Sequence, residues 1–293
     1  MSLRITQRSL SATTTANLQR NLARLQRTQD QLSSGRQLQR PSDSPTGTVA
    51  ALGLRADLRR GDQLLRNADD GIGWLGTADG ALTQSLEGIG RVRELVLRGR
   101  NGSMSDDDRA AIASEVEGLR AHLLGIANTR YLGRPLFGGT TTGTDAYAAD
   151  GSYLGDGGQV SRAILPGVDV PVSATGPEVF GAAGSDLFAL LDDIAAHLRT
   201  DPSQLDADLA ALDQRTTTVK TSLSQVGARY HQIESMRDRT DAARLDAQGA
   251  LGEVESVDVA EASTQLALQE LAYQAALAAT ARVLQPSLLD FLR

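Results

Sequence analysis

The stretch LDADLAALDQRTTTVKTSLSQVGARYHQI, residues 205–233, decides the fold. In it Leu205, Leu209, Leu212, Thr216, Val219, Leu223, Val226, Tyr230 and Ile233 stand at alternating four- and three-residue steps. That spacing keeps one narrow stripe of a helix facing a partner helix along its whole length. Asp201-Pro202 just before it supplies a capping carboxylate and a proline suited to the first helical turn. Arg237, Thr240 and Arg244 continue the phase in polar residues, and a stutter that hands the seam to Met236 and Ala243 is expected there. Ala247, Leu251 and Val254 recover it. A helix of about fifty residues is ~75 Å long, the length of a rod.

A rod needs a partner of matching length. Ser44-Pro45 is a second cap-plus-proline start, and a four–three seam follows it through Leu54, Leu58, Gly61, Leu65, Ala68, Ile72, Leu75, Asp79, Leu82, Leu86, Ile89, Arg93 and Val96. Gly61, Asp79 and Arg93 are its blemishes. The 45–98 rod is expected to lie antiparallel to the 202–255 rod. After Asn101-Gly102, a turn, Ser105-Asp106-Asp107-Asp108 opens another helix: Ser105 caps it, Asp108 closes a capping box, and acidic groups meet the positive end of the dipole. Residues 133–185 are dense in Gly, Thr, Ser, Asp and Pro, with short Val- and Ile-containing runs at 159–165 and 168–172. They read as a small β-rich insert with tight turns, placed at the tip of the helical hairpin.

Both chain ends carry apolar helical faces, although termini ordinarily fray. Leu10, Leu18, Leu22, Leu25 and Leu32 form a stripe that Ser33-Ser34-Gly35 terminates. Leu268, Leu271, Ala275 and Ala278 form another, and the chain closes with Leu284, Leu288, Leu289, Phe291 and Leu292. A pair of terminal helices is marginal alone in water, so these leucines are the candidate subunit interface. The expected fold is mainly α: long antiparallel helical rods, coiled-coil-like, with paired terminal helices and the small β-rich insert. The expected domains are 1–40 with 258–293, a terminal polymerisation domain; 41–132 with 186–257, the rods; and 133–185, the outer insert.

Composition narrows the function. The 293 residues hold 29 Lys plus Arg against 36 Asp plus Glu, a net charge of −7, which opposes a phosphate-binding nucleic-acid face. There is no cysteine, so disulfides, thiolate chemistry and Cys-bound metals are excluded. Aromatics make up 3%, so the core is built from Leu, Ala, Val and Ile, which suits helix–helix seams. No run of eighteen apolar residues spans a membrane, and the first ten residues lack the apolar core of a cleavable signal. His122, His197 and His231 fall on separate helices with no second ligand at metal spacing. Gly138-Gly139-Thr140 lacks the lysine of a phosphate loop, and Asp106 to Asp108 lack the glycine of a calcium loop. No enzyme activity, cofactor or metal is expected. Arg91 and Arg93 beside Glu94 form a charged run on the first rod, read as a solvated face or as a candidate rod-domain interface. On pattern alone, a cytoplasmic coiled-coil adaptor stays open beside a self-assembling structural protein.

Several segments resemble the flagellin superfamily. Gln31-Leu32-Ser33-Ser34-Gly35-Arg36 and Pro41-Ser42-Asp43-Ser44-Pro45-Thr46-Gly47 resemble its N-terminal signature. Asn67-Ala68-Asp69-Asp70-Gly71-Ile72 resembles the helical part that follows. Pro41-Ser42-Asp43, Phe137-Gly138-Gly139-Thr140 and Ser287-Leu288-Leu289-Asp290-Phe291-Leu292 are most similar to the hook-associated protein 3 branch, whereas Arg91 to Leu95 is more similar to flagellin itself. The resemblance implies a structural, secreted part of the bacterial flagellum at the hook–filament junction, with the flagellin filament subunit as the alternative. It further implies type III export, self-assembly through the terminal helices, and three partners: hook-associated protein 1, flagellin, and a chaperone on the C-terminal helix.

Overall fold

The computed structural model describes residues 2–143 and 145–284, with side chains described over 12–143 and 145–281. The chain forms two compact units, one from the residues up to Arg59 together with those from Arg244 onward, the other from Arg60–Ala243. Two long helices, α2 (Pro45–Gly99) and α6 (Leu205–Glu255), contribute to both.

In the first unit, α1 (Ser2–Ser34) packs on α7 (Val259–Leu284). Gly35 ends α1 with φ +69°, a left-handed turn that a Cβ disfavours. The Asp43 carboxylate then accepts the backbone N–H groups of Gln39 (3.2 Å) and Arg40 (2.8 Å), and Ser44 Oγ accepts the Gly47 N–H (3.1 Å) to cap α2. The two inter-helix linkers are sewn together: Gln37 N–H donates to the Glu255 carbonyl (2.7 Å), Val257 N–H to the Gly35 carbonyl (3.1 Å), and Arg36 bridges Ser256 antiparallel. Thr28, buried in the α1–α7 seam, places its hydroxyl 3.0 Å from Gln269 Oε1.

In the second unit, α2 and α6 run antiparallel, as the heptad seams require. Arg100 pairs with Asp206, Arg93 with Asp213 and Asp69 with Arg237, so the α6 number rises as the α2 number falls. Along α6 the buried positions Leu205, Leu212, Val219, Val226, Ile233 and Thr240 stand seven residues apart, with Asp208 and Ser222 buried beside them. Thr240 keeps the phase with its hydroxyl donating to the Met236 carbonyl (2.9 Å), and Ala243 is exposed. The expected stutter is therefore absent there, because a local hydrogen bond lets threonine occupy the seam.

α2 buries more than a two-helix stripe: Trp74, Leu75, Ala78, Ala81, Leu82, Ile89, Val92, Leu95 and Val96 are all covered. Further partners account for the width: Tyr131 and Arg134 lie against Trp74, and another helix covers the positions beyond it. Helix α3 (Asp106–Ala127) returns along α2, with Glu115 on Arg91 and Leu123 against Gly88, and α5 (Leu187–Thr200) packs on α3. Ser105 caps α3 as expected, accepting from the Asp108 N–H (3.1 Å). In the seam predicted for α2, Asp79 and Arg93 are exposed, which removes those two blemishes from the core.

The insert is mostly turns. It holds two short antiparallel hairpins: β1 (Arg130–Tyr131) with β2 (Arg134–Pro135), and β3 (Ser161–Leu165) with β4 (Val168–Pro171). Leu132 and Gly133 form the first turn with positive φ at both, the geometry of a two-residue hairpin. A short helix, α4 (Gly176–Phe180), begins where Glu178 reaches back to the Thr175 N–H (3.0 Å). The insert's position differs from the tip of the hairpin. Asn67 Nδ2 donates to the Ala163 carbonyl (2.9 Å), Arg162 pairs with Asp70 (2.6 Å), and Arg229 donates to the Ser173 carbonyl (3.2 Å). It lies on the flank of the rods because α3 first carries the chain back along α2. Its Phe137, Tyr147 and Phe180 join the rod core at Phe188 of α5, the rings of the four meeting at 5.0–5.9 Å between centroids. Burial pushes the Tyr147 hydroxyl well above the usual tyrosine pKa, with Tyr153 and Asp186 adding to it.

Candidate assembly surface

Helix α7 has two faces. The face toward α1 holds Ala262, Leu266, Gln269, Tyr273, Ala276 and Thr280, buried or half-buried at four–three spacing. The stripe singled out in the sequence is the other one. Leu268 is 62% exposed and Leu271 65%, and Ala275 and Ala278 are exposed with them. Leu277 and Val259 are also exposed. On α1, Leu18, Leu22, Leu25 and Leu32 are half-buried. Leu10 and Leu284 lie in the described helices but their side chains lie outside the described residues, as do Leu288, Leu289, Phe291 and Leu292 altogether. The described leucines thus divide: those of α1 take part in the intramolecular pair, and Leu268 and Leu271 face solvent. Fully covering one leucine is worth about 1.5–3 kcal/mol, so covering this stripe would be favourable.

The same unit holds a surface that the sequence reading missed. An open cleft of ≈ 470 Å³ lies between the linker after α1, the first turns of α2 and Glu255 at the end of α6, with Arg36, Arg40 and Arg55 around it and Leu38 and Leu52 among its lining. Leu52 and Val49 on the first turns of α2 are exposed. They fall outside the heptad phase, which is why a seam-based reading passes over them.

Arg91, Arg93 and Glu94 sit together on the exposed side of α2 but point to different partners. Arg91 pairs with Glu115 (2.7 Å) and Glu94 (3.2 Å), and Arg93 with Asp213 (2.8 Å). The hydrogen bonds that Arg91 donates to Glu115 and Glu94 raise its guanidinium above its ordinary pKa, and the bond to Asp213 does so for Arg93. In turn Arg93 holds Asp213, and Arg199 holds Glu117, below the usual carboxylate range. These pairs lock α2 to α3 and α6, and α5 to α3. A carboxylate whose folded pKa is depressed adds stability above its unfolded pKa, about 4, and loses it as pH falls through the folded value. Thermal melts at pH 6 and pH 3 are therefore expected to differ less for Asp213→Asn than for the wild-type chain. The difference is small, because all four groups are solvent-screened.

Other chemistry is thin. His197 Nδ1 lies 2.8 Å from the buried Asp208 carboxylate, His231 is exposed beside Glu234, and His122 is exposed. Among the described residues there is no cluster of three metal-ligating side chains, and no helix is long and apolar enough to cross a membrane.

Residues 5–142 match the family model of the bacterial flagellin N-terminal helical region, and residues 209–292 that of the bacterial flagellin C-terminal helical region. The chain is similar to flagellar hook-associated protein 3 of Escherichia coli (strain K12), 26% identical over 84% of this chain and 86% of that protein. It is also 26% identical to flagellin of Bacillus subtilis (strain 168), over 97% of each chain. Among solved structures, flagellar hook-associated protein-3 from Legionella pneumophila superposes with a TM-score of 0.61 at 16% identity, covering 69% of this chain and 98% of that one.

Proposed function

This chain belongs to the bacterial flagellin family and is a structural component of the extracellular flagellum, and from that premise we propose that it joins the hook to the flagellin filament. In this reading it self-assembles at the distal end of the hook, seated on hook-associated protein 1 and receiving flagellin above. The observation that carries it is the outward apolar stripe of α7: a helix already paired with α1 still offers Leu268 and Leu271 to a neighbour. The proposed terminal polymerisation domain is 1–40 with 258–293, the rods are 41–132 with 186–257, and the outer insert is 133–185. Leu10, Leu18, Leu22, Leu25, Leu32, Leu268, Leu271, Leu284, Leu288, Leu289, Phe291 and Leu292 form the proposed interface, with Arg91, Arg93 and Glu94 a secondary one on the rod. Export unfolded through the flagellar type III apparatus, with a chaperone covering the C-terminal helix, keeps that stripe from associating early.

Similarity to hook-associated protein 3 supports the junction role. Similarity to a full-length flagellin, with 97% of each chain covered, supports the second reading, a filament subunit. Electron microscopy of a deletion strain separates them. The junction role predicts hooks without filaments and flagellin released into the medium. Cells with no flagellin in either filament or medium indicate the filament subunit, and intact filaments overturn both.

A further inference from the structure

We infer that the Arg36–Arg40–Arg55 cleft receives the Glu270–Leu271 edge of α7 from a second copy of this chain. The inference rests on the self-assembly reading above and names the surface that accepts the stripe. The cleft is amphipathic: Leu38, Pro41, Ala51 and Leu52 contribute apolar lining, and the arginines supply charge. Arg55 is already paired with Glu255 (2.7 Å), whereas among the described residues the Arg36 and Arg40 guanidiniums have no carboxylate partner. The occupant must therefore bring a carboxylate and an apolar surface together. The outward side of α7 does so: Leu271 is exposed, and Glu270, one residue before it and 100° round the helix, is exposed beside it and among the described residues has no partner.

The charge distribution favours this pairing. Ten of the arginines fall within the first 60 residues, against three acids there, while the chain as a whole is acidic. Carboxylate–guanidinium pairs of this kind add orientation as well as attraction. The cleft cannot be filled by its own copy. It closes on Glu255, just before α7 begins at Val259, and Leu268 to Leu271 lie nine to twelve residues further along, about 14–18 Å at the helical rise. The packing of α7 on α1 holds that turn away. Because the two surfaces differ, the contact is heterologous: each copy gives its turn to one neighbour and its cleft to another.

The chain has no cysteine, so engineered thiols report the contact without background. Flagella from cells expressing the double variant Arg40→Cys with Glu270→Cys, oxidised with copper phenanthroline, are expected to yield a ladder of covalent dimers, trimers and larger species. Either single variant yields at most dimers. As a second measurement, Arg36→Glu with Arg40→Glu is expected to lower incorporation at least tenfold, and adding Glu270→Arg to restore it. Incorporation of the double-cysteine chain without a ladder overturns the inference and leaves the self-assembly reading standing, as does a charge swap without rescue. A wild-type chain absent from purified flagella overturns both.

Discussion

Deleting residues 264–293 is expected to abolish incorporation into the flagellum while the Arg60–Ala243 unit remains folded. The deletion removes Leu266, Gln269, Tyr273 and Ala276, the face of α7 on which α1 lies. Leu18, Leu22, Leu25 and Leu32 then lose their cover, and an isolated helix without tertiary packing is marginal in water. Circular dichroism should therefore show the loss of helix beyond the residues deleted, while the cooperative melt of the larger unit persists. A sharper variant leaves the pair intact. Leu268 and Leu271 face solvent, so Leu268→Asp with Leu271→Asp should not unfold the monomer. Two leucines covered at an interface contribute about 3–6 kcal/mol, so the double variant should weaken association by roughly 10²–10⁴-fold. Monomer melts and the amount of variant in purified flagella measure the two halves separately; undiminished incorporation contradicts the stripe as interface.

Phe180→Ala is expected to be the most damaging single substitution in the insert. Phe180 is fully buried, and its ring meets those of Phe137, Tyr147 and Phe188. Removing a buried phenylalanine costs about 3–5 kcal/mol, because the cavity left behind closes only in part. For a unit of this size each kcal/mol is worth about 2–4 °C in Tm, so a fall of roughly 6–20 °C is expected. The insert shares its core with the rods, so the loss should appear in the main helical transition. An early, separate transition of low amplitude would mean that the insert folds independently.

The sequence made the rods legible because their order is local. A seven-residue step along α6 is visible without knowing what lies opposite, and every fully covered apolar position from Leu205 to Ile233 belongs to it. The width of the buried face of α2 was not legible. Ala81 and Leu95 are covered because α3 doubles back along that helix, Trp74 because Tyr131 and Arg134 of the first hairpin lie against it, and no periodicity in α2 announces these partners. The aromatic cluster was hidden for a related reason: Phe137, Tyr147, Phe180 and Phe188 are separated by long turns and meet only in space. The candidate surface shows the reverse case. The apolar stripe of α7 was read from its leucines, yet the face that pairs with α1 includes Gln269, Tyr273 and Thr280 and is too polar to stand out. The more conspicuous stripe was the one left uncovered.

The spacing of covered positions along α6 has a consequence for how such a molecule can change. Six covered positions, Leu205 to Thr240, repeat every seven residues, and charged rungs from Asp206–Arg100 to Arg237–Asp69 fix the facing helix in step. An α-helix turns 100° per residue, so inserting one or two residues would swing every later seam position out to solvent. Only insertions close to whole turns, such as about seven or eleven residues, added to both rods at once, preserve the seam and the rungs together. Rod length in this architecture is therefore quantised, in steps of about 10 or 16 Å.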